Sequence, residues 1–380
     1  LEAIFGPDSL KIISKEAVAI SSKQAPELTG RLGGIIKLCT VFETLPTDNP
    51  RLIEQSVIKL AQGHTTEGKL KIGISAHNLR ITPGKLNAMA LSVKKELRSH
   101  GQSVRIIPNK SVELSSATVL HNHLTKDRGL EIYIIRGING QISIAKTVYV
   151  QDIEAYTARD RERPMRDARV GMLPPKLAQI IINLSSRIHI SSPMQLRSEA
   201  NSESRTILDP FCGTGVLLQE SILMGYNAYG TDIEPRMIEY SQKNLEWLNV
   251  QGITFDLEVG DATTHTWTRD YQRIACETYL GRPLNSLPDS QTLQKIMSDC
   301  DTIHRKFLMN VAKQTKTGLR LCLAVPAWKT KNGFLHLKTL DSLEELGYNR
   351  VRFVHAKTTD LIYHRNDQVV GRELVVLERK

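Results

Sequence analysis

Three aspartates in this chain stand where short apolar runs end, and their spacing sets what they could bind. Asp209 follows Ile207 and Leu208 and opens the loop Asp209-Pro-Phe-Cys-Gly-Thr-Gly215. Asp232 closes the run that begins at Asn227, and Asp261 follows the run Thr254–Val259. Each alone reads as a turn or cap residue. Three in succession, each closing an expected strand, read as one site at the carboxyl edge of a sheet. Gly213 and Gly215 lack Cβ atoms, so backbone N–H groups can approach a ligand before a helix begins. A dinucleotide is disfavoured, because Leu218 stands where the last glycine of Gly-x-Gly-x-x-Gly belongs. No Gly-Lys-Ser/Thr follows the loop, and an acid within it repels a pyrophosphate but suits an ammonium group. S-adenosylmethionine carries such a group and no phosphate, so residues 205–261 are expected to bind it. Asp232 is placed to accept both ribose hydroxyls. Asp261 is expected near the adenine amino group, with Ala262 small enough to admit the ring.

These groups need elements to hold them. The pattern predicts a strand–loop–helix unit over 205–224, a strand Asn227–Thr231 and a helix Glu234–Leu248. Strand-like runs recur at Thr254–Val259, Arg273–Cys276, Arg320–Val325 and Leu374–Leu377, with helical segments at 290–314 and 338–346. Leu173-Pro-Pro opens a further helix to Leu184, since proline suits a first helical turn. This α/β alternation predicts a parallel, doubly wound sheet. Upstream, strands are expected at Lys69–Ser75, Val104–Pro108, Glu131–Ile135 and Ile142–Val150, with an amphipathic helix over Pro83–Ser99. Residues 1–45 read as a small unit ending in Arg31-Leu-Gly-Gly-Ile-Ile-Lys-Leu38. Gln151–Arg169, with five arginines against five acids, reads as a linker. The expected divisions are therefore 1–48, 49–150, a linker 151–172, and 173–380.

At 380 residues, 41% hydrophobic and 24% charged, the chain has the composition of a soluble globular protein with two or three domains. No apolar run is long enough for a membrane span. Five scattered cysteines without a Cys-x-x-Cys pair, and no visible export signal, fit reduced thiols in a cytoplasmic protein with no metal site. Residues 51–150 hold 15 Lys and Arg against six Asp and Glu, nearly the whole of the net charge of +10. Such a segment, with Lys71, Arg80, Lys85, Lys94 and Lys95 among its cations, suits either a polyanion or a solvated lysine-rich surface.

Asp209-Pro-Phe-Cys-Gly-Thr-Gly, the preceding Arg166-Asp-Ala-Arg-Val-Gly-Met-Leu-Pro-Pro175 and the late His364-Arg-Asn-Asp-Gln-Val-Val-Gly-Arg-Glu-Leu374 resemble the THUMP-domain tRNA guanine-N2 methyltransferases, most closely the group acting at guanosine 10. The likeness is specific at 166–233 and loose over 1–150. It implies a Rossmann-like catalytic domain preceded by an α+β region, namely a small ferredoxin-like piece (1–48) and a THUMP-like RNA-binding domain (49–150). It further implies that Asp209, Phe211, Gly213 and Gly215 line the methionine moiety, Asp232 and Ile233 the ribose and adenine, and Asp261 and Ala262 the adenine edge. The implied partner is tRNA. A monomer is expected, and whether a small activating subunit joins it is left open.

Methyl transfer to an exocyclic amine usually relies on Asp/Asn-Pro-Pro-Tyr/Phe at the end of the fourth strand, where an acid or amide and a prolyl carbonyl accept the N–H bonds. Here the stretch is Glu277-Thr-Tyr-Leu-Gly281. Glu277 is one methylene longer than the usual acid, Thr278 replaces a proline, and Tyr279 arrives one position early. Glu277 is expected to accept an amine proton and Tyr279 to stack on a base; loss of catalysis with retained RNA binding is the competing reading, and a DNA or ribosomal-RNA amino-methyltransferase is another. His304, His336, His355 and His364 read as surface or satisfied core residues, and Trp247 and Trp267 as packing. For Arg365 and Arg372, beside the late loop, a phosphate contact and a salt bridge are equally open.

Overall fold

The computed structural model describes residues 1–22, 25–64, 66–167, 172–186 and 206–380. Arg205, and positions 168–171 of the stretch that resembles the methyltransferase family, lie outside the described residues. The chain forms two compact units. One comprises Leu10–Gly30 and Ile35–Tyr156, the other Leu1–Ser9, Arg31–Gly34 and Thr157–Lys380.

The chain opens with α1 (Glu2–Phe5), the hairpin β1 (Leu10–Ser14) and β2 (Ala17–Ile20), and then β3 (Lys37–Leu45). Next come α2 (Pro50–Gln62), β4 (Leu70–His77), α3 (Pro83–Ser99), β5 (Val104–Ile106), α4 (Ser116–His121), β6 (Gly129–Arg136) and β7 (Ile142–Val150). Both longer helices start as their sequences dictate. Asn49 caps α2 and Thr82 caps α3, each followed by proline in the first turn. The five strands order β3-β7-β6-β4-β5, with β4 parallel to β5 and β6 and the other pairs antiparallel. Alternate residues Leu70, Ile72, Ile74, Leu130, Ile132 and Ile134 face the apolar side of α2 and α3. On the opposite face, buried Glu131 accepts from Lys37 Nζ (2.5 Å) and Ser75 Oγ (2.6 Å).

After α5 (Ile153–Arg161) and α6 (Pro175–Leu184), the second unit continues with β8 (Thr206–Asp209), α7 (Val216–Leu223), β9 (Asn227–Asp232), α8 (Pro235–Leu248), β10 (Phe255–Val259) and β11 (Arg273–Glu277). It ends with α9 (Ser290–Gln314), β12 (Arg320–Thr330), β13 (Gly333–Leu335), β14 (Tyr348–Arg350), β15 (Ile362–Tyr363) and β16 (Val370–Arg379). The strand order is β10-β9-β8-β11-β12-β16-β14. The first five are parallel, as in Rossmann-like sheets, and the order reverses direction between β8 and β11. Ile207, Ala275, Cys322 and Ala324 pack on α6 and α7, while Leu208, Ile274, Cys276, Leu321 and Leu323 pack on α9. A helix layer on each face explains why these strands are apolar throughout rather than alternating.

Several expectations need correction. The sheet is mixed, because β16 runs antiparallel to both β12 and β14. A buried apolar run such as Leu374–Leu377 does not state its direction. Of 338–346, only Lys338–Asp341 forms a short 3-10 turn. There the Thr339 N–H donates to Asp301 Oδ1 (2.7 Å) on α9 rather than continuing a helical ladder. The supposed linker Gln151–Arg169 holds α5, whose Glu154 and Ala155 N–H groups donate to Asp152 Oδ1, and Arg159 pairs with buried Glu220 at 2.8 Å. Residues 1–45 divide between the two units: Leu1–Ser9 and Arg31–Gly34 fall in the second, Leu10–Gly30 in the first. Of the two tryptophans, Trp267 is packed, but Trp247 is exposed.

Candidate active site

The loop after β8 is built on backbone constraints. Gly213 and Gly215 have φ of 51° and 80°, in the left-handed region. A Cβ at Gly213 would meet nothing within 4 Å, whereas one at Gly215 would lie 2.9 Å from Ser241 Oγ. Gly213 lines the cavity described below; Gly215 does not, and instead starts α7 against α8. Support from α8 carries no motif in the sequence. Ser241 Oγ donates to Gly213 O (2.8 Å), and Asn244 Nδ2 donates to Thr214 O (2.8 Å) and Met165 O (2.9 Å).

Asp209, Phe211, Gly213, Asp232, Ile233, Asp261 and Ala262 all line one cavity of about 1070 Å³, together with Glu277 and Tyr279. Asp209 is 2% exposed, and burial pushes its carboxyl well above the ordinary range; the Phe211 N–H opposes this and Asp232 and Glu277 reinforce it. The Phe211 N–H donates to Asp209 Oδ1 at 3.1 Å. Asp232 accepts from Gly213 N–H and Glu234 N–H, both at 2.9 Å, so it ties the glycine loop to the start of α8. Burial raises its pKa, and those two N–H groups oppose the rise. Each oxygen keeps a further lone pair for a hydroxyl. Asp261 Oδ1 accepts from Thr263 N–H and Oγ1–H, both at 2.8 Å. Ala262 is buried, and Ile233 offers an exposed apolar side chain to the cavity. Phe211 is anchored edge-on against Phe307, ring centroids 5.0 Å apart. This donor set fits a cationic, phosphate-free ligand with a ribose and an apolar-faced ring.

At the other end of the cavity, Glu277 closes β11. Its Oε1 accepts from Nε of Arg372 on β16, so the arginine forms a salt bridge within the site. Burial raises the Glu277 pKa and Arg372 opposes the rise. Thr278 is buried: its N–H donates to Ala324 O (3.1 Å) and its Oγ lies 2.6 Å from His304 Nε2. His304 Nδ1 lies 2.7 Å from Cys300 O, which can only accept, so Nδ1 carries the proton and Nε2 takes that of Thr278. His304 is thus a satisfied core residue, and burial lowers its pKa to about 4. Two tethers on Thr278 stand in for the rigidity of proline. Tyr279 is 43% exposed, free for stacking, and Arg282 and Lys306 stand at the same cavity.

The basic residues singled out in the other unit lie on three elements. Lys71 is on β4, Arg80 in the loop after it, and Lys85, Lys94 and Lys95 on α3. Arg80, Lys85 and Lys95 are exposed, while Lys71 and Lys94 are half-buried. Lys85 and Lys94 are nine residues apart, half a turn out of phase, so they do not share a helix face.

Residues 201–347 match the family model of a methyltransferase domain, and residues 148–243 match that of a DNA methylase. A curated protein of Pyrococcus abyssi, named tRNA (guanine(10)-N2)-dimethyltransferase, is 28% identical over 211 residues, covering 55% of this chain and 50% of that one. One of the same name from Methanothermobacter thermautotrophicus is 28% identical over 191 residues, covering 50% and 48%. The chain therefore spans about half the length of the curated relatives it matches. A solved structure described as a possible methylase from Clostridium difficile 630 aligns over 89% of this chain and 83% of its own, at 12% identity and a TM-score of 0.47.

Proposed function

We propose that this chain is an S-adenosylmethionine-dependent methyltransferase acting on the exocyclic N2 amine of guanosine 10 in tRNA. The observation that carries the reading is one cavity joining the three strand-end acids to Glu277 and Tyr279. The names of the curated relatives support the substrate. Asp209 would hold the ammonium end of the methionine moiety, Asp232 the ribose, and Ile233, Asp261 and Ala262 the adenine. Bound there, S-adenosylmethionine supplies an electrophilic methyl group: the amine nitrogen forms the new C–N bond as the C–S bond breaks and its electron pair stays on sulfur. Glu277 accepts an N–H of the amine, orients the nitrogen lone pair towards the methyl group, and takes the proton released after transfer. Tyr279 stacks on the extruded base. The basic unit, read as THUMP-like, holds the tRNA through its phosphates.

Transfer of labelled methyl groups to bulk tRNA and to DNA, run side by side, tests this. Label in tRNA supports the proposal; label in DNA alone would favour the DNA methylase likeness over 148–243. Transfer to neither would contradict the proposal.

A further inference from the structure

Glu277 presents a problem that its partner resolves. A glutamate has one more rotatable bond than the usual aspartate, so it must be held to aim at an amine. Burial also favours its neutral form, and its own charge helps to raise the carboxyl of Asp209. Charged and titratable groups come to this end of the cavity from several elements, with Arg282 and Lys306 in its lining and the Cys276 thiol next to Glu277 in the chain. Arg372 comes from β16, Asp209 from β8, and His304 from α9 one residue along, neutral at ordinary pH. Arg372 is 4% exposed and Glu277 17%, so the guanidinium lies deeper and the carboxylate is the more open of the two groups lining the cavity. The pair is neutral as a whole, which matters in a cavity meant for a sulfonium. A lone guanidinium would repel it.

We propose that Arg372 is the positioning residue of Glu277: its Nε hydrogen bond fixes the longer acid, so that the open side of the carboxylate accepts an N–H of the acceptor amine. This rests on the methyltransferase reading above. An Arg–carboxylate contact restricts orientation as well as charge, which a lysine would not do. It also accounts for the tolerance of glutamate in place of the shorter acid.

The test uses the full chain and two readouts. Carbon-13 NMR of glutamate-labelled protein follows the carboxyl signal that disappears in Glu277→Gln. In Arg372→Met its titration midpoint should rise by about one to three pH units, the effect of removing a close opposite charge. Arg372→Lys should leave the midpoint near that of the native chain. In single-turnover methylation of tRNA, Arg372→Met should move the acid limb of the rate profile upwards by the same amount. Arg372→Lys should lose about tenfold in rate without that displacement, because it keeps the charge and loses the fixed direction of the Nε–H donor. Equal midpoints in the native chain and Arg372→Met would overturn the proposal, as would full activity in Arg372→Lys. A native chain that methylates no tRNA overturns the functional reading and the amine role with it; the carboxyl titration still decides whether Arg372 holds Glu277 ionised.

Discussion

Asp209 is a buried carboxyl and Glu277 a half-buried one, both at ends of parallel strands, and they have different partners. Among the described residues Asp209 accepts one backbone N–H on Oδ1 and pairs with no cation, and in the proposed reading it takes the ammonium end of the methionine moiety. Asp209→Ala should abolish S-adenosylmethionine binding in calorimetry, and unchanged affinity would sink that assignment. His304 carries a prediction about pH. Burial lowers its pKa from 6.5 to about 4, so as pH falls through that window the unfolded chain takes up a proton that the folded chain refuses. Stability is complete above the window and declines through it, by roughly 3 kcal/mol in full. Urea unfolding near pH 7 and near pH 5 should show the loss, and His304→Gln should remove that part of it. The same slope in the variant would contradict the account.

The elements are legible in the sequence most fully where a turn residue ends an apolar run. Asp209, Asp232 and Gly260-Asp261 mark strand ends plainly, and α3 spans Pro83–Ser99 as expected because Thr82 and Pro83 announce its start. What stays hidden depends on partners distant in sequence. Arg372 meets Glu277 across 95 residues, and Ser241 and Asn244 reach the glycine loop from α8. The helix α5 gives no periodic signal because it is polar on nearly every side, with Tyr156 its buried residue. The two loop glycines now separate. Gly215→Ala meets both a left-handed backbone and Ser241, while Gly213→Ala meets the backbone strain alone. The first should cost more stability than the second, whose strain is about 1–2 kcal/mol. Thermal unfolding ranks them, and a reversed order would refute a packing role for Gly215.

At the scale of the whole molecule, charge and chemistry occupy different stretches of chain. Residues 51–150 carry most of the positive excess, and the acids of the cavity all lie beyond Thr157. Replacing exposed Arg80, Lys85 and Lys95 with alanine should weaken tRNA binding and reduce its salt dependence, the logarithmic slope falling by about one for each phosphate that is no longer neutralised. Affinity for S-adenosylmethionine should not change. An unaltered salt slope would return these residues to an ordinary solvated surface. Among the described residues no helix is long and apolar enough to cross a membrane.

The central claim is that one cavity brings a methyl donor to a guanine amine beside Glu277. Nucleoside mass spectrometry of unmodified tRNA, incubated with S-adenosylmethionine and either the native chain or Glu277→Gln, tests it most directly. The native chain should produce N2-methylated guanosine that maps to position 10. The variant should bind the donor equally well and produce at least about tenfold less. Absence of N2-methylated guanosine with the native chain, or equal yields from both proteins, would contradict the account.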